Sequence, residues 1–265
     1  MGQPVAFAVA AHPDDIEFMM AGTMLLLGEA GYELHYMNIA NGSMGTAVDS
    51  RETIIEKRTA EARAAAEALG AVFHDPLVDD LDIYYDQALP RQVCAVVRDI
   101  KPTIMLLQSP QDYMEDHISA VRVAVSAAFF RGMRNYVTEP PRPLIADEVT
   151  LYHAMPYGLR DPLRRRIHPG QFVDITSVLE RKRAALACHK SQKEWLDASQ
   201  GLDSYLITMT EMSNEVGRMS GRFEYAEGWR RHLHLGFCAE TADPLTDALG
   251  ENAFISSEYE EDLNR

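Results

Sequence analysis

Short apolar runs and helical stretches alternate along the first half of the sequence. Strand-type runs at 5–11, 33–39, 71–74 and 103–108 are interleaved with helical segments at 16–31, 52–69, 91–100 and 117–131. Gly31 and Gly70 read as the stops of the first two helices. A strand, a helix and another strand in succession need a crossover connection, and that makes the two strands parallel. The spacing therefore predicts an α/β fold with a mostly parallel sheet and helices on both faces. In such sheets ligands sit beyond the carboxyl ends of the strands. The residues to follow thus stand just after Ala11, Ala40, His74 and Gln108.

The 265 residues suffice for one large core, and 46% hydrophobic content excludes disorder as the main state. No internal repeat is visible, and the proline-rich stretch at 139–143 reads as a surface link between halves. Forty acids against 25 Lys and Arg give a net charge of −15, which argues against nucleic acid or an anionic membrane as a partner. From 239 to 265 eight acids face one base, so this stretch carries 7 of the 15 net negative charges. We expect residues 1–238 to form the domain and 239–265 an acidic, solvated or subunit-contacting C-terminal extension. Cys94, Cys188 and Cys238 are widely spaced and form no CxxC, which fits a reducing cytoplasm. The N-terminus shows no signal-peptide pattern, and no apolar stretch reaches a membrane span.

After the first strand stands Ala11-His12-Pro13-Asp14-Asp15, where a dinucleotide-binding fold would carry G-x-G-x-x-G. A polar turn that caps a helix accounts for Pro-Asp by itself. The turn nevertheless packs one imidazole and two carboxylates at the sheet's carboxyl edge. His12 and Asp15 suit a divalent ion such as zinc, which needs a third ligand from another strand end. The stretch 109–117, Ser-Pro-Gln-Asp-Tyr-Met-Glu-Asp-His, offers His117 in the equivalent place after the fourth strand. Capping acids explain that cluster on its own. Together the two strand ends supply His12, Asp15 and His117, leaving Asp14 as a spare carboxylate able to deprotonate water.

With AHPDD after the first strand and Asp116-His117 after a later one, the chain resembles the LmbE/PIG-L zinc deacetylases. Arg58-x-x-Glu61 leading to Leu69-Gly70, Val173-Asp174-Ile175-Thr176 with Lys182, His189-Lys190-Ser191-Gln192 and Tyr225-Ala226-Glu227 extend the likeness in order. The resemblance implies a single Rossmann-like domain with a variable C-terminal part. It implies removal of acetyl from N-acetylated amino sugars such as N-acetylglucosamine derivatives. It also implies Zn2+, or another divalent metal, on His12, Asp15 and His117, with Asp14 as general base and Asp116 beside the ligand histidine. Arg58 and Glu61 match positions that are structural or face substrate. Oligomers are frequent in the family, and a homo-oligomer is left open here.

One departure matters. The family commonly reads H-x-D-H where this chain has Met114-Glu115-Asp116-His117, and a thioether donates no proton. Tyr113 is the nearest replacement for stabilising an oxyanion; His189 ranks next, and His153 after it. The alternatives are a weakened or non-catalytic binding protein of the same fold, or an amidase acting on a larger conjugate. Arg160, in a Pro/Gly-rich loop, is a candidate substrate contact and lid residue. Arg164-Arg165-Arg166 reads as a solvated loop or an anion grip. His232 and His234 alternate like a polar strand face with no third ligand nearby.

Overall fold

The structure, a computed structural model, describes residues 2–192 and 204–263. The alternation read from the sequence is present as β1 (Val5–Ala10), β2 (Glu33–Asn38), β3 (Ala71–His74), β4 (Ile104–Leu107) and β5 (Thr150–Ala154). Between them run α1 (Asp15–Met19), α2 (Ala21–Glu29), α3 (Arg51–Leu69), α4 (Leu89–Ile100) and α5 (Glu115–Phe130). The second half adds β6 (Gln171–Asp174), α6 (Leu179–Leu186), α7 (Ser204–Ser220), β7 (Ala226–Arg231), α8 (Pro244–Leu249), β8 (Ala253–Ile255) and α9 (Ser257–Asp262). The sheet has eight strands in the order β3-β2-β1-β4-β5-β7-β6-β8. The first five are mutually parallel, whereas β7, β6 and β8 join by antiparallel pairing.

Burial on both faces follows from the sequence of β1, whose six residues are all buried. Ala6, Ala8 and Ala10 pack with α2 and α3 on one face; Phe7 and Val9 pack with α4 and α5 on the other. Helix α3 starts on Ser50, whose side chain accepts from Thr53 N–H, and ends at Gly70 with φ 71°.

The helix expected over 16–31 is two helices with a break at Met20. The cause is remote in sequence. Glu227 of β7 accepts from the Gly22 and Thr23 N–H groups at 2.8 and 2.7 Å, giving α2 its own N-terminus. Lys182 donates to the same carboxylate at 2.7 Å, both side chains being almost wholly buried. Trp229 Nε1 donates to Thr23 Oγ1 at 3.0 Å. The late Tyr-Ala-Glu and Lys182 motifs therefore hold the fold. Removing one partner of a buried pair costs about 3–5 kcal/mol. Lys182→Met is expected to lower unfolding stability by that order, read by urea titration of the buried Trp229.

The acidic tail differs from the expectation of a solvated extension. Leu245 and Leu249 of α8 pack into the core, and β8 pairs with β6 as an edge strand. Asp243 accepts from the Tyr152 hydroxyl at 2.6 Å and caps α8 through Thr246 N–H. Apolar residues at 245, 249, 253 and 254 are what carry the segment inward, under a charge-dominated composition.

Candidate metal centre

The strand order reverses between β1 and β4, since β1 leads outward to β2 while β4 leads the other way to β5. Their carboxyl ends part there and leave a crevice. The first wall is the turn 12–15. Ala11 N–H is held by Gln108 Oε1 at 2.8 Å, His12 N–H by Asp15 Oδ2 at 2.7 Å, and His12 O by Asn38 Nδ2 at 2.6 Å. Asp14 sits in the left-handed region with φ 98°, a conformation unfavourable for a residue with a Cβ but tolerated best by Asp and Asn. The second wall is the 109–116 loop and the first turn of α5.

These walls bring His12, Asp15 and His117 together, with one ligand atom from each lying within 4.8 Å of the others. His12 Nδ1 is 3.6 Å from Asp15 Oδ2, and His117 Nε2 is 3.3 Å from Asp15 Oδ1. The outer nitrogen of each ring faces a further carboxylate: His12 Nε2 meets Asp116 Oδ2 at 2.9 Å, and His117 Nδ1 stands 3.0 Å from Asp112 Oδ1. Carboxylates placed behind ligand imidazoles fix ring orientation and raise ligand basicity. Burial by itself disfavours the charged His12 ring, but Asp116 and Asp15 outweigh it and push it up to about 10. His117 is raised too, against its burial, by Asp15 and Asp112. Burial works against an ionised Asp15, yet the two imidazoles hold it down to about 2. This surplus of carboxylate around two imidazoles fits a divalent cation, which would neutralise it.

A cavity of about 440 Å³ opens over the cluster and is lined by Asp14, Arg58, Tyr113, Met114, Tyr157 and Tyr205 among others. Burial raises the Asp14 carboxyl above its ordinary value, partly offset by Arg58, whose Nη2 stands 3.2 Å from Asp14 Oδ2. The same Nη2 donates to Pro13 O at 2.6 Å. Arg58 reaches this place beneath Gly42, where a Cβ would meet Arg58 Cδ at 2.6 Å. Tyr113 is 59% exposed at the rim, its ring edge-on to His117 at 5.8 Å. Burial, then Asp15, push its phenol up to about 12, so it stays a proton donor at neutral pH.

Four candidates from the sequence, Asp116, His189, Arg160 and His153, lie elsewhere. Asp116 is turned away from the cavity, onto His12 and the Leu81 N–H, so it orients the His12 ring and does not line the cavity. His189 is fully buried behind the turn, 3.2 Å from Glu17 Oε2, and cannot reach an oxyanion. Its motif has a scaffolding cause: Ser191 N–H and Oγ donate to Glu61 at 2.8 and 2.6 Å, fastening the segment to α3. Arg160 bridges to Arg166 and donates to Arg164 O, on a separate groove. The residue of that loop that does face the cavity is Tyr157. His153 pairs with His232 at 2.9 Å, away from the cluster. Among the described residues no second metal-type group includes His232 or His234.

Asp112 and Asp80 were not foreseen. Asp80 accepts from Gly42 and Met44 N–H at 2.7 and 3.0 Å and lines the cavity. It follows the third strand, whose end was flagged, in a Val-Asp-Asp run that could have pointed to it. Asp112, four residues after the fourth strand's expected end, carried no such mark beyond its charge.

A His₂Asp cluster with a spare carboxylate in the same cavity, at the switch point of a Rossmann-like sheet, is a donor set suited to metal-assisted hydrolysis. The model of the family described as PIG-L, GlcNAc-PI de-N-acetylase, matches residues 7–129. The diacetylchitobiose deacetylase of Thermococcus kodakarensis is 30% identical over 230 residues, covering 84% of this chain and 80% of that protein. The 4-oxalmesaconate hydratase of Pseudomonas putida is 28% identical, covering 72% and 75%. In fold, the chain is similar to the Pyrococcus horikoshii N,N'-diacetylchitobiose deacetylase, with TM-score 0.72, 21% identity and coverage of 92% and 89%. It is likewise similar to GalB, the 4-carboxy-2-hydroxymuconate hydratase of Pseudomonas putida KT2440, with TM-score 0.74, 24% identity and coverage of 91% and 99%. The chain belongs to the PIG-L family and is an amide hydrolase of the N-deacetylase type.

Proposed function

We propose that the protein removes the acetyl group from an N-acetylated amino sugar or its glycoside, with zinc held by His12, Asp15 and His117. The observation that carries this is the placing of Asp14 beside the three ligands inside one cavity. When bound, zinc would polarise the acetyl carbonyl and acidify water. Asp14, raised by burial, takes the proton of the attacking water and returns it to the departing amine. Arg58 keeps the Asp14 side chain in place. Tyr113 donates a hydrogen bond from its phenol to the developing oxyanion, the part that Met114 cannot play. Loss of one oxyanion donor costs about 2.7–4 kcal/mol, or 10²–10³ in kcat. Tyr113→Phe is therefore expected to lower kcat by that factor with KM little changed; unaltered kcat would remove Tyr113 from the reaction.

The cavity also speaks against the polycarboxylate chemistry suggested by the hydratase relative. Among its described lining residues Arg58 is the one Lys or Arg, and Arg58 is engaged with Pro13 O and Asp14. A neutral sugar amide meets no such shortage of cations. Acetate release from a panel of N-acetylated sugars by the metal-loaded protein is the test; hydration of an unsaturated dicarboxylate without acetate release would overturn the reading. Elemental analysis of the purified protein identifies the ion, because His₂Asp also accepts other divalent metals. Three cysteines that remain unpaired support a reducing, cytoplasmic setting. No helix among the described residues is long and apolar enough to cross a membrane.

A further inference from the structure

Large apolar side chains that the fold leaves exposed stand around the mouth of the metal cavity. Met44, Leu81, Tyr113 and Tyr157 all line it, and each is between 43% and 60% exposed. Single exposed hydrophobics are ordinary, but a group of them around one opening marks a contact surface. The sheet order places them on both sides of the metal-binding turn. Leu81 and Met44 follow β3 and β2, on one side of β1; Tyr113 and Tyr157 follow β4 and β5, on the other.

Both sides of this rim are fastened. Leu81 takes the left-handed conformation with φ 69°, unfavourable for a residue with a Cβ. Its N–H donates to Asp116 Oδ2 at 2.7 Å, the oxygen that also meets His12 Nε2. Met44 N–H donates to Asp80 Oδ2 at 3.0 Å. Opposite them, the Tyr113 and Tyr157 rings stand 6.0 Å apart, and Tyr157 meets the buried Phe18 ring at 5.5 Å. An aromatic strip thus runs from the mouth into the cavity. His117 is buried at the inner end, so an amide brought to the metal leaves the rest of its molecule at the rim. Asp14, Asp15, Asp80 and Asp112 line the cavity, and Arg58, the one Lys or Arg among its described lining residues, is engaged with Pro13 O and Asp14. An anionic substituent therefore finds no free cation here, whereas an apolar one loses its contact with water against the rim.

We propose that the substrate is an amino-sugar glycoside whose aglycone is a neutral apolar group, contacted by Met44 and Leu81 on one side and by Tyr113 and Tyr157 on the other. This specificity rests on the deacetylase reading, with the sugar amide at the metal and the aglycone at the mouth. Acetate release by the metal-loaded protein from matched methyl and phenyl glycosides of N-acetylglucosamine, N-acetylgalactosamine and N-acetylmannosamine tests it. The phenyl glycoside of the accepted sugar is expected to show a kcat/KM higher by about tenfold or more. The gain is expected in KM with kcat little changed, because the aglycone meets the rim equally in the ground and transition states. Leu81→Asn suits the left-handed backbone and removes the apolar side chain; it is expected to bring the phenyl-to-methyl ratio of kcat/KM down toward one. Met44→Gln, in a separate loop, is expected to act in the same direction and serves if the first variant does not fold. Acetate release at equal kcat/KM from both glycosides of the accepted sugar overturns the apolar rim and leaves the deacetylase reading standing. A ratio that both substitutions leave unchanged, even where both rates fall, overturns the rim as well. No acetate from any of the glycosides overturns the specificity together with the reading it rests on.

Discussion

Asp14→Asn is expected to lower kcat by about 10²–10⁴, the contribution of a positioned general acid–base group, while the protein keeps its metal. The substitution preserves shape. Asn adopts the left-handed backbone conformation as readily as Asp, so the φ of 98° at this position is retained. What is lost is the ability to accept a proton, together with the charge facing Arg58 at 3.2 Å. Arg58 keeps its bond to Pro13 O, so the turn stays anchored. Turnover assays paired with elemental analysis check both halves. Full turnover with zinc retained would show that another group accepts the proton.

His117→Ala is expected to abolish metal binding and turnover together. The cluster offers three candidate ligands, and removal of one leaves His12 and Asp15, fewer than a catalytic zinc site uses. The deletion also leaves Asp112 facing Asp15 with no imidazole between their contacts at 3.0 and 3.3 Å, so like charges oppose each other where a cation is needed. Metal per chain, measured after dialysis, is expected to fall from about one equivalent toward zero. Unchanged metal content would refute the ligand assignment. The two variants separate the roles at this site: the first loses chemistry with the ion in place, the second loses the ion.

Several features were written in the local sequence. The change of hydrophobic period located β1 to β4 within a residue or two, because strand and helix bury their side chains with different spacing. The parallel half of the sheet follows from strands separated by helices. Once the sheet is parallel, the carboxyl ends of β1 and β4 meet at the switch point, and that alone makes neighbours of His12 and His117, 105 positions apart. Both ends of the metal cluster were therefore legible as strand-end motifs.

The tertiary structure decided what those motifs touch. The break at Met20 is set by Glu227, more than 200 positions away, and no local propensity signals it. His189 and Asp116 each stand next to a recognisable motif, yet one is fastened behind Glu17 and the other turns onto His12. The acidic tail reads as solvated by its charge, but a few apolar residues dock it as the eighth strand and a core helix. Charge and period report how a segment meets water. Which carboxylate faces which imidazole depends on side-chain direction and on contacts between distant segments, so it exists only once the chain has folded.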